Sequence, residues 1–153
     1  MNAIADRIEK KILLRASKAR VWRALADAQE FGSWFGVNLE GQKFEPGAKV
    51  SGKITHKGYE HVTMRVVVQR VDKERLLSFL WHPHDVEPKV DLSSEPMTLV
   101  EFRLEEAADG TLLTVVESGF DKVPLARRTK AFEMNDAGWA AQVKAIERHV
   151  AQG

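Results

Sequence analysis

The chain of 153 residues is 44% hydrophobic and 29% charged, and its formal net charge at pH 7 is +1. Its positive and negative residues are interspersed, which excludes a basic face for nucleic acid, and no apolar run is long enough to cross a membrane. Without cysteine, the chain has no disulfide and no thiolate site. We therefore expect one cytoplasmic domain over residues 1–153, with a core at about 8–150, no nucleic-acid partner and no membrane insertion.

The first third of the chain predicts a strand and two short helices. Residues 8–14 are rich in isoleucine and leucine, which is typical of a strand, and Ser17 suits the N-cap of a following helix. A second short helix is predicted over 28–34. This connector is heavily aromatic, so its rings either fill a core or line a hydrophobic site.

The central part of the chain predicts β-structure. Apolar alternation and β-branched content indicate strands over 48–56, 61–71, 76–81, 97–106 and 111–120. Asp109 and Gly110 form a hairpin turn between the last two of these strands. Residues 84–96 contain two prolines and several acids, and we expect a weakly ordered loop there. The predicted order is a strand, two short helices, about six strands and a final helix.

Residues 124–150 predict one long amphipathic helix. Its apolar stripe consists of Leu125, Phe132, Trp139, Val143, Ile146 and Val150. Pro124 suits the first turn, and Gly153 lies just past the expected end. Gly138, next to Trp139, is expected at the closest approach to the sheet. Such a helix needs a large apolar partner, so we predict an α+β fold with a curved sheet wrapped around it.

A series of short motifs carries a family resemblance. The motifs are Ser17-x-x-x-Val21-Trp22-x-Ala24-Leu25, Phe31-x-x-Trp34-Phe35, Phe44-x-Pro46-Gly47, Arg75-Leu76-Leu77-x-Phe79-x-Trp81, Asp109-Gly110-Thr111-x-Leu113, Ser118-Gly119-Phe120 and Gly138-Trp139. The series resembles the activator of heat-shock-protein-90 ATPase homology family of the START-like, or SRPBCC, superfamily. The resemblance covers residues from about 8 to 150. It implies a helix-grip fold with an antiparallel sheet and a deep cavity for lipids, polyketides or other apolar molecules.

In such a fold, one set of side chains would converge on the space between the sheet and the C-terminal helix. The predicted ligand-binding residues are Trp34, Phe35, Met64, Phe79, Trp81, Phe102, Glu117, Phe132, Asn135, Asp136 and Trp139. Each ring could bury about 150 to 250 Å² of surface. The alternative for any single ring is that it simply fills the core.

Glu117 is the most informative polar position in this set. It shares a strand face with Leu113 and Val115, so it should point inward, where a carboxylate needs partners. A polar role in a pocket, a buried pair with an arginine and a position at an exposed strand end are all open for it. Asp136 lies on the helix stripe and Asn135 beside it. Members of the family often carry histidine where this chain has Asn135, so the resemblance does not carry an acid–base role over to that position.

Three functional hypotheses follow from these residues. The first is a protein that binds a small hydrophobic or aromatic molecule, lipid-like or polyketide-like. The second is a cyclase or aromatase-type enzyme in which Glu117 or Asp136 moves protons, although no activated nucleophile is evident. The third is an interaction module, such as a chaperone ATPase regulator, with a homodimer as a further option.

Metal and cofactor chemistry is not expected. His82, His84 and Asp85 superficially resemble metal ligands, but they surround a proline in a loop and lack a further spaced ligand. The chain contains no phosphate-binding glycine loop and no dinucleotide fingerprint. We therefore predict neither a metal nor a cofactor.

Overall fold

The computed structural model describes residues 7–86 and 89–152. In chain order, its elements are β1 Arg7–Leu14, α1 Lys18–Ala26, α2 Ala28–Phe35, β2 Lys49–Lys53, β3 Thr63–Asp72, β4 Leu76–Trp81, β5 Thr98–Ala107, β6 Gly110–Ser118 and α3 Leu125–Ala151. One 3-10 turn, Phe120–Lys122, precedes α3. Five strands lie between α2 and α3 in the described ranges, where the sequence suggested about six. Gly153, the expected marker of the helix end, lies outside the described residues.

The strands form one antiparallel sheet in the order β1-β6-β5-β4-β3-β2. Consecutive strands from β2 to β6 are neighbours, and β1 pairs with β6 as the edge strand on that side. The long helix α3 contacts β1, α1 and α2. This is the helix-grip arrangement, and the predicted α+β fold with two short helices after the first strand is confirmed.

Local capping explains why two short helices follow β1. The Ser17 side chain accepts a hydrogen bond from the Arg20 N–H at 3.1 Å, which satisfies one free donor at the start of α1. Asp27 is the C-cap of α1 and the N-cap of α2. Its carboxylate accepts a hydrogen bond from the Glu30 N–H at 2.9 Å, at the start of α2. Gly36, with a φ of 95°, ends α2 in the left-handed region that glycine adopts without strain.

The core lies between the concave face of the sheet and the three helices. The buried residues of α3 are Ala131, Trp139, Val143, Ile146 and Val150. Leu125, which the sequence placed on the same stripe, is 76% exposed, so that part of the prediction is wrong. The loop between β4 and β5 lies beside the first turns of α3, where Arg127 contacts it.

Gly138 does not mark the closest approach of α3 to the sheet. A Cβ atom built on Gly138 would have no atom within 4 Å, and the residue is exposed. Successive residues of an α-helix are rotated by about 100°. Gly138 therefore faces away when its neighbour Trp139 faces the core.

A charged cluster attaches the end of α3 to the short helices. Glu30 on α2 accepts hydrogen bonds from Arg20, Arg23 and His149, the last at 2.9 Å. Burial raises the pKa of Glu30, but the hydrogen bonds from His149 and Arg20 and the charges of Arg20 and Arg23 outweigh it and lower that pKa. Glu30 is thus held as a carboxylate at neutral pH.

Candidate ligand site around Glu117

Glu117 is a fully buried carboxylate near the end of β6. Its Oε2 atom accepts hydrogen bonds from Trp81 Nε1 at 2.8 Å and Thr98 Oγ1 at 2.6 Å. Its Oε1 atom accepts from Trp139 Nε1 at 2.8 Å. The Asn135 Nδ2 atom lies 3.0 Å from Oε1 and 3.1 Å from Oε2. Because these donors belong to β4, β5 and α3, one side chain connects three strands to the long helix.

The partners of Glu117 are all neutral donors. Within the described ranges, no lysine, arginine or histidine forms an ion pair with it. The pair with an arginine and the exposed strand end are therefore excluded, and the inward orientation predicted by period two is observed. Hydrogen bonds to an ionised acceptor are stronger than neutral ones, so the carboxylate is held without a counter-charge.

Strand register explains how this site is assembled. Trp81 is the last residue of β4 and lies opposite Thr98, the first residue of β5, while Val100 of β5 lies opposite Glu117. The chain therefore leaves the sheet between Trp81 and Thr98, beside the carboxylate. Sequence reasoning missed Thr98. Its signal was the period-two alternation that puts Thr98 on the same face as Val100 and Phe102.

Most of the predicted aromatic residues meet in one ring cluster. Its members, whose contacting rings have centroids 4.8 to 6.4 Å apart, are Phe31, Trp34, Phe35, Phe44, Phe79, Trp81, Phe102 and Trp139. Met64 is buried in the same hydrophobic core. Phe132 does not join the ring cluster but stacks edge-on against Phe120 at 5.1 Å. The rings of Trp81 and Trp139, both bonded to Glu117, are 5.7 Å apart.

The ring cluster fills the space in which a chamber was expected. The part lined by Trp34, Phe102, Trp139 and their neighbours on β6 and α3 has a free volume of about 0 Å³. In this conformation the rings fill the core instead of lining a cavity. A ligand fits there only if rings move. The cluster is nevertheless polar at one point, because Glu117 lies against it.

Asp136 does not join Glu117. Its carboxylate lies 2.9 Å from the Lys10 ammonium on β1, and its side chain is 47% exposed. One helical step of about 100° separates it from Asn135, which does reach Glu117. The expectation of two inward carboxylates is therefore wrong, and Asp136 is a surface residue paired with a lysine.

A preformed groove lies beside this site, between the β2–β3 hairpin and the loop that connects β4 to β5. The β2–β3 groove has a volume of about 680 Å³, and its walls include Val50, Lys53, Val62, Arg65, Leu92 and Met97. Met97 precedes Thr98, and His82, which also lines the groove, follows Trp81. The groove therefore ends next to the residues that hold Glu117. Sequence reasoning missed it, because its walls are far apart in the chain.

Arg127 fixes the loop beside the groove. Its guanidinium donates to Glu95 Oε1 at 3.1 Å and to the Pro83 carbonyl at 3.1 Å, so it bonds both ends of the loop. The loop was expected to be weakly ordered, and its residues 87 and 88 lie outside the described ranges. Its two ends are attached to the start of α3, which couples the loop to the long helix.

The histidines that superficially resembled metal ligands have other contacts. His82 Nε2 lies 3.0 Å from the Glu95 carbonyl oxygen. Over residues 7–86 and 89–152, no group of three or more His, Cys, Asp or Glu side chains is placed to hold a metal ion. The described helices also include none that is long and apolar enough to span a lipid bilayer.

A curved antiparallel sheet that grips a long C-terminal helix, with an aromatic cluster and one buried acceptor between them, defines a START-like helix-grip protein. Within this class, the model of the family described as activator of Hsp90 ATPase homolog 1-like protein matches residues 15–151. The chain belongs to this family, as the motif series predicted. No curated protein matches the chain significantly.

Solved structures share this fold at low sequence identity. The protein NE0264 from Nitrosomonas europaea is 19% identical, with a TM-score of 0.72 over 99% of both chains. The protein MLL2253 from Mesorhizobium loti is also 19% identical, with a TM-score of 0.72 over 95% of this chain and 97% of that one. DynU16, from the dynemicin biosynthetic locus, is 22% identical, with a TM-score of 0.73 over 97% of this chain. This chain spans only 48% of DynU16.

Proposed function

We propose that this protein binds a small hydrophobic or aromatic molecule between the sheet and the C-terminal helix, as a single domain. The ligand contacts the ring cluster and uses Glu117 as its polar anchor. Membership of the family supports the class of function, since the fold has its ligand space between these two walls. Fold alone does not fix a ligand, so the proposal depends on the site.

The observation that carries the proposal is the buried carboxylate of Glu117 in contact with the ring cluster. Burying a carboxylate without a counter-charge is costly, and well-packed apolar residues often stabilise a core as well or better. A ligand that carries a hydrogen-bond donor can take the place of the Asn135 amide, which is shared between both oxygens and only partly buried. The site would then prefer a ligand that is largely apolar and carries one hydrogen-bond donor for Glu117.

The β2–β3 groove supplies the way in. Its volume of about 680 Å³ lies within the range of about 300–1,000 Å³ that is typical of small-molecule sites. Trp81 is only partly buried, donates to Glu117 and directly precedes His82, which lines the groove. Movement of the Trp81 ring would join the groove to the space beneath α3. We therefore assign the groove as the entrance and the ring cluster as the inner wall.

The proposal is tested by tryptophan fluorescence with a matched pair of neutral probes. 1-Naphthol carries a hydroxyl donor, whereas 1-methoxynaphthalene has nearly the same shape but no donor. Both should quench tryptophan emission, and 1-naphthol should bind more tightly by about 0.5–1.5 kcal/mol, the usual net value of one hydrogen bond. Mass spectrometry of the denatured purified protein should also detect a co-purified apolar compound.

The variants Trp81→Leu and Trp22→Leu separate specific quenching from general quenching. Trp22 lies on α1 and does not contact Glu117, so its loss should leave the affinity unchanged, while loss of Trp81 should weaken it. If neither probe quenches the emission and no apolar compound co-purifies, the proposed function is contradicted.

A cyclase or aromatase-type enzyme acting on such a ligand is the second candidate. It rests on Glu117 alone as the proton-transferring group, since Asp136 is paired with Lys10 at the surface. One carboxylate among aromatic rings can remove a proton from a bound ligand and return it. Turnover of a polyketide-like substrate that is lost in Glu117→Gln while binding is retained would favour this candidate over a carrier.

A further inference from the structure

The outer face of the β2–β3 hairpin carries a row of three cations along the groove. Lys49 lies opposite Val67, Ser51 opposite Arg65, and Lys53 opposite Thr63. Residues that lie opposite each other in an antiparallel pair share a face, and diagonal neighbours are about 7–8 Å apart. Arg65 is therefore a diagonal neighbour of both lysines, and all three line the groove.

These cations lack acidic partners in the hairpin. None of the three takes part in a salt bridge within the part of the chain that the structure describes. The other residues of this face, Ser51, Thr63 and Val67, are uncharged. Like charges placed so close together on one sheet face repel each other. An anion in the groove would relieve that repulsion.

The opposite wall of the groove does not neutralise the row. Among the described residues it adds Lys89 and two acids, Asp85 and Asp91, so the lysines and arginine of the described lining exceed its acids by two. The Asp91 carboxylate accepts a hydrogen bond from the Ser93 N–H at 2.9 Å, which holds its side chain against its own loop. The described lining therefore has an excess of positive charge, which favours a negatively charged group.

The groove also has an apolar part. Its lining includes the buried residues Val62 and Leu92 and the half-exposed Val90. Met97 belongs to the same lining, and it directly precedes Thr98, the strand partner of Trp81. One groove thus presents cations along the hairpin and apolar side chains that reach to the residue before Thr98.

We infer that the ligand is an anionic amphiphile, with a carboxylate or a similar acidic group held by Lys53 and Arg65 and an apolar body lying along the groove toward Trp81. This inference rests on the proposed function and adds the chemical class of the ligand. The guanidinium of Arg65 suits a bidentate contact with such an acid, and Lys53 supplies a second charge.

Calorimetric titration of the full chain with three probes of equal chain length tests the inference. The probes are dodecanoate, 1-dodecanol and dodecyltrimethylammonium, each used below its aggregation limit. Dodecanoate should bind at least about tenfold more tightly than either of the others, as expected for charge-assisted contacts. Added salt should reduce this preference, because the cations are exposed.

Charge-reversal variants locate the contact. The double variant Lys53→Glu/Arg65→Glu should lose the preference for dodecanoate, whereas Lys73→Glu/Lys122→Glu, with the same charge change at exposed positions outside the groove, should keep it. The side chains of Lys53 and Arg65 are exposed, so both double variants should fold, and thermal unfolding checks this. Equal binding of all three probes, or a preference unchanged in Lys53→Glu/Arg65→Glu, would overturn the inference and leave the proposed function intact. Failure of all three probes to bind would count against both.

Discussion

The indole Nε1 of Trp139 on α3 donates a 2.8 Å hydrogen bond to Oε1 of Glu117 on β6. Trp81 on β4 donates to the other carboxylate oxygen at the same distance. Two tryptophans from opposite walls of the fold therefore meet at one buried carboxylate. The attachment of the helix to the sheet and the polarity of the ligand site depend on the same side chain, so changes at Glu117 should alter both stability and binding.

Replacement of Glu117 by glutamine should destabilise the protein by about 2 kcal/mol. The amide presents one acceptor oxygen and one NH₂ group, and the latter would face donors such as Trp81 and Thr98 instead of accepting from them. Glu117→Leu should cost more, because every donor in the site loses its acceptor. Urea unfolding monitored by circular dichroism measures both effects. A Glu117→Leu variant as stable as the wild type would contradict this assignment.

Replacement of Gly138 by alanine should stabilise α3. Glycine in a helix interior is about 0.8–1.0 kcal/mol less favourable than alanine, and nothing lies within 4 Å of the added Cβ atom. The matched control is Gly52→Ala, where the new Cβ atom would lie 1.9 Å from the Asn38 carbonyl oxygen and must destabilise β2. In thermal unfolding, the first variant should raise Tm and the second should lower it. A lower Tm for Gly138→Ala would show that the packing of α3 is described incorrectly.

The cluster at Glu30 should make stability depend on pH in the acid range. The lowered pKa of Glu30 means that its contribution is fully present above the pKa of the unfolded chain, near 4.5, and is lost as pH falls through the lower folded value. Glu30→Gln should therefore be less stable than the wild type at neutral pH, and the difference should shrink in acid. Denaturant midpoints measured across this range give the comparison. Glu40→Gln, at an exposed position, is the control and should show no such convergence.

Asp136→Ala should have little effect on ligand binding and should change stability by no more than about 1 kcal/mol. The pair of Asp136 with Lys10 is partly exposed, and such surface pairs contribute little. The titration used for the neutral probes serves again, with Asn135→Ala as the comparison, since Asn135 does contact Glu117. Because the ligand's donor takes the place of the Asn135 amide, Asn135→Ala should change the affinity more than Asp136→Ala does. A larger change in Asp136→Ala would reverse the roles assigned to these two residues.

Local patterns in the sequence were sufficient for much of the fold. Period two along β6 predicted that Glu117 points inward with Leu113 and Val115, and the Ser17 cap predicted the start of α1. These inferences succeeded because alternation and capping depend on residues close together in the chain. The family resemblance then predicted that the sheet wraps around the C-terminal helix as in the helix-grip fold. Local patterns do not specify that packing.

The failures concern rotation about α3 and contacts between distant segments. One helical step of about 100° decided that Asn135 reaches Glu117 while Asp136 reaches Lys10, and a stripe drawn on sequence spacing does not resolve such a step. Whether rings fill a space or line a cavity depends on packing among elements far apart in the chain. The β2–β3 groove was missed for the same reason. It lies beside the part of β3 before Val67, which has no pairing with β4, and its walls come from distant segments.

The most direct test of ligand binding at Glu117 follows the indole N–H resonances of the four tryptophans by ¹⁵N–¹H NMR during titration with 1-naphthol. The signals of Trp81 and Trp139, which donate to Glu117, should shift together and saturate with the same affinity, while that of Trp22 should remain in place. In Glu117→Gln, the shifts should require more 1-naphthol. If neither the Trp81 nor the Trp139 resonance moves at saturating probe, the space between the sheet and α3 is a solid core and the proposed ligand site is wrong.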